Sequence, residues 1–366
     1  MMNALRVIVL VTQIGSLVAA FEPLRLSFEQ METLMKQCGV FPDEKFSTKS
    51  IPLAMHGRFI NISKAAWAVH LHTEYPGFDA DCGGTLISEQ HVLTAAHCFY
   101  SEICANQATT PKQDDTWLGS WTVYYSGECL PFAEDPCERG QTKAKVAGIR
   151  SVIVTGVFFE SKCREGDIAI VELDAKVPPS AVATPLCLAS MKYQIPNKAM
   201  LAAWGSDASR VKSVTSLSMI NITTMACPTD AAANVICASE SQDENICRGD
   251  SGAGMVFSDR TGRRYVIGIA SFGTDCRSIQ MALDYRDGIV IRSPPYDTFF
   301  SEFGEVDNLN RMKGSIFTDV RGFTRFICKY TGVCVDDLYL IPNTNTINAS
   351  IVPNTNDATI IHRSIH

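Results

Sequence analysis

Short runs of β-forming residues, separated by turn signals, fill the middle of this chain and limit its fold more than any other feature. The runs include WAVHL (67–71), GTLI (84–87), GIRSVIV (148–154), DIAIVEL (167–173), AMLAAWG (199–205) and YVIGIAS (265–271). Many short strands without helices between them are typical of a β-barrel or β-sandwich. The proline-containing stretch 176–185 is a candidate crossover between two halves, and RGFTRFICKY (321–330) predicts one amphipathic helix.

The first twenty residues, MMNALRVIVLVTQIGSLVAA, have the layout of a secretory signal. Arg6 precedes an apolar stretch, and small residues at its end favour cleavage after Ala20. A membrane anchor is the alternative, but the apolar run is short for a span and is interrupted by Thr12 and Gln13. We therefore expect a secreted, extracellular protein without a membrane association. Its net charge of −7 gives no reason to expect nucleic acid as a partner.

The chain has fourteen cysteines, and an even number in a secreted protein favours disulfides over free thiols or metal ligands. Three sequons predict N-glycosylation at Asn61, Asn221 and Asn348, which supports secretion weakly because such triplets also arise by chance.

Two segments of different composition flank the β-rich region. Residues 21–53 form a polar leader with one cysteine, Cys38, and a short helix-like pattern. From 335 to 366 the chain is rich in Asn and Thr, with two near-repeats, IPNTNTINAS and IVPNTNDATI. We expect this tail to be disordered and to have no role in the core.

The stretch ICRGDSGAG (246–254) has two interpretations. Arg248-Gly249-Asp250 is a tripeptide that serves as an adhesion tag when it lies on an exposed loop. Alternatively, the glycines around Asp250 and Ser251 permit a tight turn that presents Ser251 as a nucleophile. The N–H groups of Gly249 and Ser251 would then form an oxyanion hole. A glycine-rich surface turn is the simpler explanation of the stretch taken alone.

A serine nucleophile needs an imidazole to take its proton and a carboxylate to orient that imidazole. The first candidate is His97 in LTAAHC, although it is one histidine among seven. The second is Asp167, immediately before an apolar strand, where a buried acid needs hydrogen bonds. A metal site at His97, Cys98 and Cys104 lacks a second ligand pair at zinc spacing, so we expect no metal.

Taken in order, CGG…LTAAHC, DIAIVEL and GDSGAG resemble the chymotrypsin/trypsin family of serine peptidases. AWG (203–205), SFG (271–273) and IFTDV (316–320) add to a resemblance that covers about residues 54–331. The chain is also similar to divergent trypsin-like proteins that are numerous in nematodes. This implies an all-β fold of two six-stranded antiparallel barrels with a C-terminal helix. The barrels would span about 54–178 and 190–320, and the helix about 321–331.

The resemblance also implies a function. Ser251 would attack the scissile carbonyl, His97 would act as the general base and Asp167 would orient it. We expect a monomeric endopeptidase that acts on protein or peptide substrates, is open to protein inhibitors and needs no cofactor. A zymogen-like or inactive binding protein with the same fold is the alternative.

Several disulfides follow from the same resemblance. The implied pairs are Cys82–Cys98, Cys227–Cys237, Cys247–Cys276, Cys38–Cys187 and Cys328–Cys334. Cys104, Cys129, Cys137 and Cys163 are left with three possible pairings.

The chain departs from the family pattern at the substrate pocket. The residue six positions before the nucleophile is Asn245, where trypsin-like enzymes have an aspartate that binds Arg or Lys. Gly273 should leave the pocket mouth open, and Ser315 should line its wall. This neutral pocket favours uncharged side chains, although Asp243 and Glu244 could restore some preference for basic ones.

Activation is the second departure. In the family, a cleavage creates a new N-terminus whose ammonium pairs with the acid before the nucleophile, here Asp250. The family spacing places that terminus at Ala54, in AMHG, after Leu53 rather than after a basic residue. Two insertions, 104–163 and 277–313, are longer than is usual in the family and could restrict access, bind a partner or be tolerated surface loops.

Overall fold

The computed structural model describes residues 22–41, 58–76, 78–100, 115–131, 137, 140–205, 216–239, 245–273, 276, 314–335 and 358–362. The leader contributes one helix, α1 (Phe28–Gln37), and a two-residue strand, β1 (Arg58–Phe59), precedes the first barrel. The side chain of Ser27 accepts a hydrogen bond from the Gln30 N–H and the Gln30 side chain reaches back, which is the capping box that starts α1.

Six antiparallel strands close the first barrel. They are β2 (Ala68–Tyr75), β3 (Phe78–Leu86), β4 (His91–Thr94), β5 (Thr122–Tyr125), β6 (Lys145–Thr155) and β7 (Ala169–Leu173). The order around the barrel is β6-β5-β2-β3-β4-β7, and pairing of β7 with β6 closes it. Short helices α2 (Asp115–Gly119) and α3 (Gly156–Glu160) lie in its connections. Apolar residues such as Leu71, Val152 and Ile170 are fully buried inside.

The second barrel closes in the same way. Its strands follow β8 (Cys187–Leu188) and are β9 (Lys198–Ala203), β10 (Ser218–Met225), β11 (Val235–Ser239), β12 (Gly254–Ser258), β13 (Arg264–Gly273) and β14 (Gly314–Asp319). The ring runs β9-β10-β11-β14-β13-β12 and returns to β9, while β1 and β8 pair with β10 and β13 outside it. A 3₁₀ turn at Val320–Phe323 leads into helix α4 (Thr324–Thr331). The predicted all-β fold with a C-terminal helix is confirmed.

The prediction that the whole tail, 335–366, is disordered is wrong. Ala358–His362 forms strand β15, which pairs antiparallel with residues 151–155 of β6. Strand β5 covers β6 only as far as Gly148, so the second half of that edge is open for another strand. The β-branched run Thr359, Ile360 and Ile361 fills it, and the Asn/Thr-rich composition around the run conceals this local signal.

The leader packs against both barrels, and it reaches the first through the Leu24 N–H, which donates to Glu172 Oε1 on β7 at 2.6 Å. Cys38 is bonded to Cys187, the Gly39 N–H donates to the Pro185 carbonyl at 2.8 Å, and the Gly39 carbonyl accepts from Arg264 at 2.9 Å. Among the residues described, no helix has the length and apolar character that a membrane crossing requires.

Candidate active site

His97 and Asp167 meet at the end of the first barrel. Asp167 precedes β7, and His97 follows β4, the strand that pairs with β7. His97 Nδ1 lies 2.7 Å from Asp167 Oδ2, and the His97 backbone N–H donates to Asp167 Oδ1 at 2.9 Å. This double contact fixes both the side chain and the backbone of the histidine against the carboxylate.

Asp167 is buried but well supplied with donors. The Ser271 hydroxyl donates to Oδ2 at 2.5 Å, and the Thr318 hydroxyl donates to the backbone carbonyl at 2.8 Å. Burial opposes the charge on both members of the pair. Their mutual attraction and hydrogen bond nevertheless hold the pKa of Asp167 below its usual value and raise the pKa of His97. Asp167 is therefore ionised and can stabilise an imidazolium.

Ser251 lies in a turn that packs against the strands leading to His97. The Gly83 N–H donates to the Ser251 carbonyl at 2.7 Å. Gly252 has φ +84°, and a Cβ on it would collide with the Thr94 hydroxyl and the Gly83 carbonyl. Only glycine permits both this backbone conformation and this approach. These contacts bring the serine turn to the part of the barrel that carries the histidine.

The two expected oxyanion donors lie in the same turn. Gly249 is buried, with φ +94°, a conformation that favours glycine. Within the described ranges, neither the Gly249 nor the Ser251 N–H donates to a backbone carbonyl. The two N–H groups stay the expected oxyanion donors.

Asp250 is buried, and among the described residues its carboxylate accepts hydrogen bonds only from backbone N–H groups. Oδ1 accepts from the Gly205 N–H at 2.9 Å, and Oδ2 accepts from the Cys247 N–H at 2.8 Å. Burial raises the pKa of Asp250 to about 7, although the two hydrogen bonds oppose this. No cationic side chain in the described part of the chain contributes to that pKa. The predicted partner, Ala54, lies outside the described residues.

Asp250 also decides between the two interpretations of ICRGDSGAG. An adhesion tripeptide needs an accessible acid, but the Asp250 side chain is inside the protein and only Arg248 is exposed. The adhesion interpretation is therefore not supported.

Two of the three predicted pocket residues, Gly273 and Ser315, are neighbours in the second barrel. Gly273 pairs with Ser315 across β13 and β14, and both Asn245 and Ser315 are buried. A Cβ on Gly273 would lie 2.9 Å from Ile246 Cγ1, so the isoleucine side chain fills the space beside this glycine. Sequence analysis missed Ile246, although its position directly after Asn245 could have pointed to it. Asp243 and Glu244 lie outside the described residues.

All five implied disulfides are present, and a sixth joins Cys129 to Cys137. Cys163 is also disulfide-bonded, to a residue outside the described set. Two of these bonds brace the site, because Cys82–Cys98 ties β3 to the residue after His97 and Cys247–Cys276 anchors the serine segment.

The predicted glycosylation sites lie on different elements. Asn61 caps a 3₁₀ turn, with its side chain accepting from the Ser63 N–H at 3.0 Å, and Asn221 is exposed on β10. Asn348 lies outside the described residues.

One group of side chains on β2 and β3 of the first barrel has the donor atoms of a metal centre. His70, His72 and Asp81 bring two imidazole nitrogens and a carboxylate oxygen within 4.8 Å of one another. Sequence analysis missed this group because the pairing of β2 with β3, which assembles it, is not visible in a linear motif.

Comparison with known proteins identifies relatives of this arrangement. The sequence model of the family described as Trypsin matches residues 55–286. Trypsin-like protease try-5 of Caenorhabditis elegans is 30% identical over 58% of this chain and 74% of its own length. The Suppressor of tumorigenicity 14 protein homolog of Bos taurus is 26% identical over 63% of this chain and 26% of its length. Phenoloxidase-activating factor 3 of Holotrichia diomphalia is 28% identical over 53% and 57%.

Proposed function

We propose a peptide-bond hydrolase on the premise that this chain belongs to the trypsin family. The observation that carries the proposal is the bond of 2.7 Å between His97 Nδ1 and Asp167 Oδ2, beside a glycine-flanked turn that presents Ser251. Membership of the family supports a serine protease, and the residues give it a mechanism.

In this mechanism His97 takes the proton of Ser251 while the hydroxyl attacks the scissile carbonyl. Asp167 holds the imidazole with Nδ1–H toward the carboxylate, which leaves Nε2 as the base. The N–H groups of Gly249 and Ser251 stabilise the oxyanion, and the imidazolium then protonates the leaving amine. Water repeats the sequence on the acyl-enzyme and releases the second product.

We further propose that the enzyme prefers uncharged side chains before the scissile bond. Asn245 has no charge to pair with Arg or Lys, and Ile246 and Ser315 take up room beside Gly273. Burying the charged end of a substrate Arg or Lys in this pocket without a counter-charge would cost on the order of several kcal/mol. A peptide-library screen dominated by cleavage after Arg or Lys would refute this preference.

The chain is proposed to act outside the cell as a monomer on protein or peptide substrates, with protein inhibitors as natural partners. Every cysteine in the described ranges is disulfide-bonded, which suits an oxidising compartment. The signal pattern at 1–20 and the sequons support the same location.

A specific observation favours a second candidate, a zymogen-like or inactive binding protein. Asp250 is held only by backbone N–H groups in the described structure, and the activation sequence around Ala54 lacks a basic residue before it. Without an ammonium on Asp250, the oxyanion turn would not gain the ion pair on which its catalytic shape depends.

Labelling with a fluorophosphonate probe separates the two candidates. N-terminal sequencing of secreted protein first establishes whether a second cut near Ala54 follows removal of the signal. Processed protein should label at Ser251, and the Ser251→Ala variant should not. Folded, processed protein that fails to label would rule out the hydrolase and favour the binding protein.

A further inference from the structure

Two histidines and an aspartate form a cluster on neighbouring strands of the first barrel. His70 and His72 are two residues apart on β2, so their side chains lie on one face about 7 Å apart along the strand. Asp81 on β3 is directly opposite His72. Asp81 Oδ1 lies 2.9 Å from His70 Nε2 and also 2.9 Å from His72 Nδ1.

We propose that His70, His72 and Asp81 form a binding site for a divalent transition-metal ion of the zinc type. Two imidazole nitrogens and one carboxylate oxygen are a donor set that Zn²⁺ prefers. Ligands on a tetrahedral zinc ion are separated by about 3.3 Å, given metal–ligand bonds of about 2.0–2.1 Å. The two separations that involve Asp81 are 2.9 Å, and all three ligand atoms lie within 4.8 Å of one another, so side-chain rotations must open the first two slightly and draw the two imidazole nitrogens to about 3.3 Å.

The surroundings of the cluster suit a cation. Glu74 Oε1 lies 3.5 Å from His72 Nε2, the ring nitrogen that does not face Asp81. A carboxylate behind a metal-binding imidazole orients the ring and increases its basicity. Glu74 is paired across the strands with Asp79, which adds a further negative charge. The cluster thus combines a ligand set with an acidic surrounding.

The geometry also allows access and limits movement. The Asp81 side chain is 45% exposed, so an ion can enter from solvent and keep a water as its fourth ligand. The buried ring of His70 packs against Trp204, with centroids 5.9 Å apart, and against Tyr124 at 6.3 Å. One ligand is therefore held in place before the ion binds, which reduces the entropy lost on binding.

The site is separate from the catalytic pair but close to the nucleophile. Asp81 lies two residues before Gly83 on β3, a distance of about 7 Å. Gly83 is the residue whose N–H donates to the Ser251 carbonyl. The proposal does not depend on the hydrolase function, and it departs from the sequence-based expectation of no metal. A strand-stabilising His–Asp pair without an ion is the competing explanation.

The test is zinc titration of the full chain carrying Ser251→Ala, which prevents self-digestion. Isothermal calorimetry should give one site, and Co²⁺ should give the visible absorption of a four-coordinate ion. Asp81→Asn and His72→Asn each remove a ligand, so each should lower the Zn²⁺ affinity by more than the roughly 10–100-fold that is lost when a group behind a ligand is removed. Glu74→Gln should weaken it by about tenfold.

Matched controls keep the experiment decisive. His362→Asn alters an exposed histidine on β15 and should leave affinity unchanged. If His72→Asn does not fold, Asp81→Asn at its partly exposed position carries the test, with circular dichroism as the check. Absence of Zn²⁺ binding would overturn the proposal. A Zn²⁺ affinity that falls only when His97, which lies outside the cluster, is changed in His97→Asn would also overturn it. Affinity unchanged in the folded Asp81→Asn and His72→Asn variants would also overturn it and favour the metal-free pair.

Discussion

Asp167 and Asp250 are buried to the same extent, each 7% exposed, yet the protein treats them in opposite ways. Asp167 receives an imidazole, a hydroxyl and a backbone N–H, and its pKa is lowered. Asp250 receives two backbone N–H groups, and burial raises its pKa to about 7. At Asp250 the two backbone N–H groups do not offset the loss of water around the carboxylate, whereas at Asp167 the histidine and the further donors do.

The difference is between a pair that lies wholly within the described residues and a carboxylate whose proposed partner lies outside them. The folded barrels supply the partner of Asp167 from β4 and β13, so this pair forms with the fold itself. The partner proposed for Asp250 must be created by cleavage of the chain. Substitutions at the two aspartates should therefore give different results before and after processing.

The largest effect is expected from Asp167→Asn in processed protein. The asparagine retains the shape of the side chain but cannot stabilise the imidazolium, and it favours the wrong tautomer of His97. We expect kcat/KM to fall by about 10⁴-fold. Hydrolysis of a peptide ester measures this change, with active-site labelling to count folded enzyme. A loss below tenfold would show that Asp167 does not support His97.

The pH dependence of stability should reveal Asp250 in unprocessed protein. The pKa of the folded-state carboxyl, about 7, lies above the unfolded value of 3.8, so the folded chain keeps a proton that the unfolded chain loses. The free energy of unfolding should fall as pH rises from about 4 to 7, and then level off. A difference of about three pKa units corresponds to about 4 kcal/mol.

Urea unfolding of the Asp250→Asn variant measures this contribution. The variant should gain stability relative to the parent at pH 8 but not at pH 5, because asparagine has no charge to bury. Asp259→Asn in the β12–β13 hairpin is the matched control. Because the pKa of Asp259 is lowered, the difference in unfolding free energy between this variant and the parent should be the same at pH 5 and pH 8. If the unfolding free energy of the unprocessed parent did not fall between pH 4 and 7 relative to the variant, Asp250 would already be paired with a cation.

In processed protein the same Asp250→Asn substitution should act on catalysis. Asparagine cannot pair with the new ammonium, so the turn that carries the Gly249 and Ser251 donors loses its support. Loss of such donors costs about 10²–10³-fold in kcat. A peptide-ester assay at pH 8 measures it. If activity were unchanged while the processed N-terminus was verified, Asp250 would not be the activation partner.

The sequence identified much of this arrangement because each motif carries a local signal. His97, Asp167 and Ser251 lie in distinctive contexts, the β-runs predicted a barrel or a sandwich, and the family resemblance implied two barrels. The parts that it missed depend on contacts between segments that are far apart in the sequence. Ile246 lies beside Gly273, in two segments that the Cys247–Cys276 bond joins, and His72 meets Asp81 only across β2 and β3.

Composition was a second source of error. Averaged over 335–366, the tail is too polar to predict order, yet five of its residues complete an edge of β6. The open half of that edge is a property of the folded barrel, so no inspection of the tail alone could have revealed it.

The smallest predicted effect concerns Ser271, a hydrogen-bond donor to Asp167. Sequence analysis used SFG only as part of the family resemblance, whereas in the structure the Ser271 hydroxyl donates to Asp167 Oδ2 at 2.5 Å. A hydrogen bond to a charged group contributes about 1.5–3 kcal/mol, so Ser271→Ala should reduce kcat/KM by about 10- to 150-fold. Without this donor the carboxylate becomes more basic and attracts the imidazolium more strongly. The pKa of His97 should therefore rise, and the acidic limb of the pH–rate profile should move to higher pH.

Ser239→Ala, at an exposed serine on β11, is the control. If Ser271 only shaped the cleft, KM would change while the pH profile stayed in place.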